Sequence, residues 1–309
     1  MIRQAPVDVV ARTTNVVGES PVWHAAERAV YWTDIPAGIV HRLGLADARH
    51  SAFEVDGIVT CLAVRDDGGF IVGTASGVAR LDIAPDGSTA LAPLAEFVHA
   101  RAAMRANDGR CDRDGRFWVG TMFTDMSAAL PVGALYRHDA RSALQGPLVD
   151  GLVVQNGLAF SPDGATLYLS DSHPSVRMVW AFDLDRDDGT ISNRRVFADL
   201  NRYPGRPDGA AVDETGAYWC CGNDAGRLHR FAPDGSLAES WSLPVSKPSM
   251  LAFGGDDLDW LFITSIRPAA PEQADEPLAG SLLAFRPGVG GIAETRYVTG
   301  RPDSPQDGH

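Results

Sequence analysis

Short runs of aromatic and β-branched residues recur along the chain at a nearly constant distance. Such runs are typical of buried β-strands. Their central aromatic residues are 39, 47, 51, 50 and 44 positions apart and are Tyr31, Phe70, Phe117, Tyr168, Tyr218 and Phe262. Repetition at this spacing predicts six similar structural units.

Each unit carries the signals of four strands. A tight turn precedes most of the aromatic positions, as in Asp67-Gly68 and Asp163-Gly164, where glycine supplies a positive φ. A short apolar run lies before that turn, an alternating strand such as 133–137 follows the aromatic run, and a more polar strand such as 237–243 closes most units. Four antiparallel strands in ~46 residues form one blade of a β-propeller. The pattern therefore predicts an all-β, six-bladed β-propeller.

Both ends of the chain contain a segment that could complete the ring. Residues 7–11 and residues 295–299 each resemble the closing strand of a blade, and the sequence does not decide between them. A helical period is absent, apart from one or two turns expected within residues 94–104. We expect a single propeller domain over residues 1–309.

Composition and charge exclude several classes of protein. The 309 residues are 45% hydrophobic and 22% charged, as in ordinary globular proteins, and hold no apolar run of the ~18 residues that a membrane span needs. The N-terminal residues lack the order of a signal peptide, so a cytoplasmic protein without a membrane partner is expected. A net charge of −13 disfavours nucleic acid as a partner. The four cysteines lack disulfide-framework or zinc-site spacing and are expected to be reduced, mostly buried thiols.

Polar residues open the first strand of every predicted blade. These strands line the central channel of a propeller, so their first side chains should converge on its axis. The residues that lie 10 to 13 positions before the aromatic markers are Glu19, Thr60, Asn107, Asn156, Asp208 and Ser249. All six carry oxygen and none is histidine, which is the ligand chemistry of a hard cation such as Ca²⁺, Mg²⁺ or Mn²⁺. The sequence therefore predicts a metal site in the channel.

The main alternative is that these residues belong to surface turns. Pro-Asp-Gly occurs four times in the chain and is usually a turn. For Pro207-Asp208-Gly209 the turn position of that blade is already taken by residues 213–216, which places Asp208 at the entry of an inner strand. Asn156 occupies the same register, and Glu19 does so in the first unit, so we interpret all three as ligands.

Three further residues lie near this ring. Arg105 precedes Asn107 by two positions and could hold a substrate oxygen, although a solvated loop arginine is equally compatible with the sequence. Either Asn107 or Asp108 should face the channel. Asp34 and Asp171 follow their markers by three positions, where such residues more often cap turns.

At these positions the chain resembles the senescence marker protein, gluconolactonase and luciferin-regenerating-enzyme-like family, which includes regucalcin and bacterial sugar-acid lactonases. The resemblance is carried, in order and on one repeat, by Gly18-Glu19-Ser20-Pro21-Val22-Trp23, Arg105-Ala106-Asn107-Asp108-Gly109, Gly115-Arg116-Phe117-Trp118-Val119-Gly120-Thr121-Met122, the segment from Asn156-Gly157 to Asp163-Gly164, and Pro207-Asp208-Gly209. These motifs span residues 18 to about 220, and the six-unit repeat covers the rest.

The resemblance implies a divalent metal held by Glu19, Asn156 and Asp208, with Asn107 nearby. It implies substrate contacts from Arg105 and Asn107, and a small sugar lactone as the partner. Calcium is the expected ion, with Zn²⁺, Mn²⁺, Mg²⁺ and Fe²⁺ as alternatives. The chain departs from the family after Gly-Thr-Met, where several relatives have two glutamates and this sequence has Phe123-Thr124-Asp125. Asp125 is therefore expected to replace the substrate-contacting glutamate with a shorter side chain.

Such a site predicts hydrolysis of a sugar-acid lactone. The cation would polarise the carbonyl, Asp208 would act as general base, and Arg105 and Asn107 would orient the sugar. The chain lacks the G-x-S-x-G, H-E-x-x-H and Walker motifs of other mechanisms. Two alternatives stay open: a regucalcin-like calcium-binding scaffold without turnover, and an esterase or phosphotriesterase on the same propeller.

Overall fold

Alternation of apolar and polar residues, broken by glycine turns, folds each predicted unit into a four-stranded antiparallel sheet. The computed structural model describes residues 2–268 and 276–300. Two N-terminal strands come first: β1 (Ile2–Gln4) and β2 (Asp8–Ala11). Blade 1 consists of β3 (Gly18–His24), β4 (Ala29–Asp34), β5 (Ile39–Gly44) and β6 (His50–Glu54). Blade 2 consists of β7 (Cys61–Val64), β8 (Phe70–Gly73), β9 (Gly77–Ile83) and β10 (Thr89–Glu96). Blade 3 consists of β11 (Met104–Cys111), β12 (Phe117–Phe123), β13 (Gly133–Asp139) and β14 (Ala143–Leu152).

The other three blades repeat the arrangement. Blade 4 consists of β15 (Gln155–Phe160), β16 (Thr166–Asp171), β17 (Met178–Leu184) and β18 (Ile191–Asp199). Blade 5 consists of β19 (Arg206–Val212), β20 (Tyr218–Asn223), β21 (Arg227–Phe231) and β22 (Leu237–Ser242). Blade 6 consists of β23 (Pro248–Gly254), β24 (Trp260–Ser265) and β25 (Leu282–Phe285), together with β2. The first strands of successive blades lie side by side, and β23 returns to lie against β3. The six-bladed β-propeller predicted from the repeat is confirmed.

The N-terminal candidate closes the ring. Strand β2 pairs antiparallel with β25, with Val9 opposite Leu283, so blade 6 is built from both ends of the chain. Residues 295–299 instead run across the turns at the far end of the blades: the amide of Tyr297 donates to the carbonyl of Val64 at 2.8 Å, and that of Val298 donates to Gly115 at 3.0 Å. The sequence did not predict β1, which adds to blade 5 parallel to β22.

The helical turns expected within residues 94–104 are absent. Residues Thr89–Glu96 form β10 instead. The described part of the chain contains only single-turn 3₁₀ helices, at Ala25–Glu27, Met126–Ala128 and Leu200–Arg202. None of these could reach across a membrane.

Aromatic side chains fill the space between neighbouring sheets. Trp32, Trp118 and Trp219 are fully buried, and all four cysteines are buried and unpaired. Two of the tryptophans are fixed from the turn before them: the indole N–H of Trp118 donates to Asp112 and that of Trp219 donates to Asp213, each at 2.9 Å. The turns therefore set the register in which the inner strands meet the core.

Ring closure by β2 predicts that substitutions at two adjacent positions change the free energy of unfolding by very different amounts. Ala11 is 6% exposed and packs with Trp23, Trp32 and Leu282, whereas Arg12 is exposed. We expect Ala11→Asp to lower the free energy of unfolding by roughly 2–4 kcal/mol because it buries an unpaired charge. Arg12→Asp should change it by no more than ~0.5 kcal/mol. Equal denaturation midpoints for the two variants in urea would contradict closure by this strand.

Candidate functional site

A β-bulge lies at the channel entrance of five of the six inner strands. In each of them the pairing with the second strand slips so that two residues face one, and the slips fall at Glu19/Val22, Ala106/Gly109, Asn156/Ala159, Pro207/Ala210 and Pro248/Leu251. The inner strand of blade 2 pairs regularly from Cys61 onward. Bulges turn side chains away from the regular alternation and are common beside active sites. Here each bulge contains or adjoins a polar residue of the predicted ring, in every blade but the second.

Gly157 shows why the sequence permits the bulge in β15. Its φ is +63°, a conformation that residues with a Cβ rarely adopt. A Cβ at this position would also lie 2.5 Å from the hydroxyl of Tyr218 and 2.6 Å from that of Ser170. Glycine after Asn156 is therefore required by the inner strand itself and is not a surface-turn signal.

Two carboxylates of the predicted ring, those of Glu19 and Asp208, affect each other's ionisation. Burial raises the pKa of Asp208 to about 7, although the charge of Arg206 and a hydrogen bond from Asn223 oppose the shift. Burial likewise raises the pKa of Glu19 well above its usual range, and the negative charges of Asp208 and Asp108 add to that effect. Like charges held together away from water disfavour their own ionisation. A cation between them would relieve this repulsion.

The donor set fits a hard divalent cation. Glu19 and Asp208 supply carboxylate oxygens, and Asn156 supplies a carboxamide oxygen because its Nδ2 donates to the hydroxyl of Ser172 at 3.1 Å. Asn223 donates to Oδ2 of Asp208, which leaves Oδ1 for another partner. A set made only of His, Cys, Asp or Glu side chains, three or more together, does not occur within residues 2–268 and 276–300. The carboxamide is therefore an essential member of the candidate site.

The predicted substrate residues lie against this set. Nη1 of Arg105 donates to Oδ1 of Asn107 at 2.8 Å, and Nδ2 of Asn107 donates to Oδ1 of Asn156 at 3.1 Å and to the carbonyl of Gln155 at 2.6 Å. Burial lowers the pKa of Arg105, whereas the charges of Glu19 and Asp208 raise it. Arg105 therefore lies in strand β11, hydrogen-bonded to Asn107, and not in a solvated loop.

Other members of the inner ring bind backbone. The hydroxyl of Thr60 donates to the carbonyl of Gly73 at 3.3 Å, and that of Ser249 donates to Gly18. Asp108 is buried and accepts the amide of Leu158 from the next blade at 2.8 Å. These residues tie strands together, and Asn107 is the one of the pair 107–108 that contacts a predicted ligand.

Asp125 lies apart from these contacts. Its exposed carboxylate caps the turn Met126–Ala128 by accepting from the amide of Ser127 at 3.0 Å and from its hydroxyl at 2.6 Å. Those hydrogen bonds hold its pKa below the usual range. Its substrate contact stays a prediction.

The aspartates that the sequence could place either in inner strands or in surface turns fall into two groups, as their register indicates. Asp208 lies within β19 and is 4% exposed, whereas Asp234 of the matching tripeptide Pro233-Asp234-Gly235 is exposed in a turn and accepts from Ser236. Asp34 and Asp171 do cap backbone amides: Asp34 binds those of residues 16 and 17, and Asp171 binds those of residues 153 and 154.

Sequence reasoning missed the residues that hold the ligands from behind. The hydroxyl of Ser172 accepts a hydrogen bond from Asn156, and Asn223 donates one to Asp208. Arg206 donates to both Ser172 and Asn223. Ser172 and Asn223 are fully buried. The sequence signal that could have identified Ser172 and Asn223 is their position, because each lies at the end of the second strand of its blade, next to the start of the inner strand.

Comparison with known proteins gives consistent relatives. Residues 17–267 match the SMP-30/Gluconolactonase/LRE-like region. The 6-deoxy-6-sulfogluconolactonase of Pseudomonas putida is 42% identical over 291 residues, covering 94% of this chain and 97% of that protein. The L-arabinolactonase of Azospirillum brasilense is 31% identical over 293 residues, with coverage of 94% and 95%. The solved structure of regucalcin from Agrobacterium tumefaciens, described as a calcium-binding protein, has a TM-score of 0.87 and 26% identity over 96% of this chain and 98% of that one.

The family match covers most of the chain and spans all six inner strands, from Gly18 to Gly254. The likeness to the two lactonases also extends over nearly the full length of each. The chain belongs to the SMP-30/gluconolactonase/LRE-like family.

Proposed function

We propose that the chain is a divalent-metal-dependent lactonase that opens a sugar-acid lactone to the aldonate. The observation that carries the proposal is a network of hydrogen-bonded side chains that joins Asn156 to Asn107 and Arg105 on one side and to Asp208 on the other. Glu19 is near enough for the charge of Asp208 to raise its pKa. The names of two relatives, a sulfogluconolactonase and an arabinolactonase, support the reaction class.

The metal would be held by Glu19, Asn156 and Asp208. Calcium is the first choice because the donors are all oxygen, and the regucalcin relative is described as calcium-binding. Zn²⁺, Mn²⁺, Mg²⁺ and Fe²⁺ are alternatives. A divalent cation held there would polarise the lactone carbonyl and make a nearby water more acidic.

Asp208 is the general base of the proposal. Its Oδ2 is fixed by Asn223, so the carboxylate has a defined orientation toward the channel. A water attacks the carbonyl carbon while Asp208 takes its proton, and the same proton then goes to the ring oxygen as the C–O bond breaks. One water is consumed, and a carboxyl and a hydroxyl are produced.

Arg105 and Asn107 bind the sugar. Both are only half-buried, so each keeps polar atoms accessible to a ligand in the channel. The guanidinium has donors beyond the one used on Asn107 and can stabilise the negative charge that develops on the carbonyl oxygen. Such donors favour a hydroxyl-rich substrate over a lipophilic ester or phosphotriester.

A second candidate function is a calcium-binding scaffold without turnover. The description of the regucalcin relative favours it. Proton release from a lactone panel separates the two, because a scaffold binds calcium and releases no protons.

The rim of the site also favours a substrate that carries a negative group. Asp224 pairs with both Arg206 at 2.5 Å and Lys247 at 2.7 Å, so Lys247 has only a share of one carboxylate and could also bind an anionic group. Lys247 is about a quarter exposed and has donors left over. A 6-deoxy-6-sulfo lactone, the substrate type in the name of the 42% identical relative, carries such a group.

The base assignment predicts a loss of turnover specific to one of two matched aspartates. Asp208→Asn should lower kcat for gluconolactone roughly 10²- to 10⁴-fold, the usual contribution of a general base. Asp234→Asn, in the identical tripeptide but at the surface, should not. The unfolding temperature of Asp208→Asn without metal should not fall, because the change removes a buried like charge. Undiminished turnover in Asp208→Asn would contradict the assignment.

Metal dependence predicts reversible inactivation by a chelator. Treatment with EDTA followed by desalting should abolish proton release from gluconolactone and arabinonolactone, because the cation polarises the carbonyl. Addition of Ca²⁺, Mn²⁺, Zn²⁺, Mg²⁺ or Fe²⁺ in separate samples should restore it and identify the ion that works best. Full activity after exhaustive chelation, with metal content verified by elemental analysis, would exclude the mechanism.

The carboxylate shared by Lys247 and Arg206 predicts a substrate-dependent effect of substituting Lys247. Lys247→Met should raise KM for 6-deoxy-6-sulfogluconolactone about two- to fivefold, as expected for an exposed ion pair of up to ~1 kcal/mol. KM for neutral arabinonolactone should be unchanged. An equal change for both lactones would argue against recognition of the anionic group.

A further inference from the structure

Two predicted metal ligands from different blades are held by side chains that meet at a single arginine. Asn156, of blade 4, donates to the hydroxyl of Ser172 at 3.1 Å. Asp208, of blade 5, accepts from Nδ2 of Asn223. Nη1 of Arg206 donates to the same Ser172 hydroxyl at 3.1 Å, and its Nη2 donates to Oδ1 of Asn223 at 3.4 Å.

We propose that Arg206 is a positioning residue that sets the orientation of Asn156 and Asp208 toward the metal, acting through Ser172 and Asn223. This inference rests on the metal site of the proposed function. It assigns a role to a residue that contacts neither the lactone nor the cation. Side chains behind the ligands fix ligand orientation and commonly affect metal affinity as strongly as 10- to 100-fold.

The guanidinium is suited to this role by its geometry. Its third nitrogen, Nε, pairs with Asp224 at 2.5 Å, so all three nitrogens have protein partners in three directions. The Arg206 side chain is 14% exposed, so it is largely excluded from solvent. A planar fork fixes several partners at once, which the single ammonium of lysine cannot do.

The hydrogen bonds also decide which atoms of the ligands face the cation. Because Arg206 donates to Oδ1 of Asn223, the Nδ2 group of Asn223 is the end that faces Asp208. The carboxylate is thereby held by one oxygen and leaves the other available. The Ser172 hydroxyl, which is held by Arg206, accepts a hydrogen bond from Nδ2 of Asn156. The carboxamide oxygen of Asn156 therefore points away from Ser172.

Charge and positioning predict opposite effects for the loss of Arg206. A positive charge beside the site repels a divalent cation, so its removal should tighten metal binding if charge alone mattered. If the arginine orients two ligands, its removal should weaken binding. Lys247 supplies the matched control: it pairs with the same Asp224 through Nζ at 2.7 Å, and it lies directly before the inner strand of blade 6.

The test is isothermal titration of the chelator-treated full-length chain with Ca²⁺ alone. Arg206→Gln and Arg206→Lys should each raise the calcium Kd about tenfold or more, whereas Lys247→Met should leave it unchanged or lower it. Ser172→Ala removes only the hydroxyl and should weaken binding in the same direction, which keeps the test decisive if Arg206→Gln does not fold.

The activity of the Arg206 variants at saturating Ca²⁺ gives a second readout. A positioning role predicts that excess calcium recovers much of the rate with KM for the lactone near its wild-type value. An unchanged or tighter calcium Kd in both Arg206 variants would overturn the proposal, and so would a raised KM that persists at saturating calcium. Failure of the wild-type chain to bind any divalent cation would instead contradict the proposed function together with this inference.

Discussion

Electrostatic repulsion between the carboxylates of Glu19 and Asp208 is the physical constraint on which the candidate site depends. Glu19 comes from blade 1 and Asp208 from blade 5, and desolvation raises the pKa of both. Their ionised forms are unfavourable together unless a positive charge joins them. Arg105 and Arg206 lie close enough to lower this cost but do so only in part. A divalent cation would complete the balance of charge, and the proposed lactonase mechanism follows from that.

The ring architecture is what holds these charges in place. Inner strands of neighbouring blades are joined by side chains at the bulges: the hydroxyl of Ser20 accepts the amide of Leu62, Asp108 accepts that of Leu158, and Ser249 donates to Gly18. Closure by β2 in blade 6 joins the N-terminal segment to the last blade, so the ring cannot open between blades 6 and 1 without breaking this pairing. The inner strands that carry Glu19 and Asp208 are therefore held in place by the fold.

Much of the fold and part of the site could be predicted because both follow a period. Six aromatic markers determine six blades, and counting back from them reaches Glu19, Asn156 and Asp208 on the inner strands. What lies outside the repeat could not be read in this way. The choice of residues 8–11 for closure depends on pairing between residues over 270 positions apart, as in Val9 with Leu283. The contacts of Arg206 with Ser172 of blade 4 and Asn223 of blade 5 depend on how two blades meet. The sequence of a single repeat unit contains no signal for such contacts.

The most direct test of the account is a crystal structure of the chain grown with Mn²⁺, with anomalous diffraction recorded at the manganese edge. The account predicts one strong anomalous peak in the channel, within bonding distance of a carboxylate oxygen of Glu19, the carboxamide oxygen of Asn156 and Oδ1 of Asp208. A metal bound elsewhere, or a channel in which these three side chains hold no ion at millimolar Mn²⁺, would contradict it.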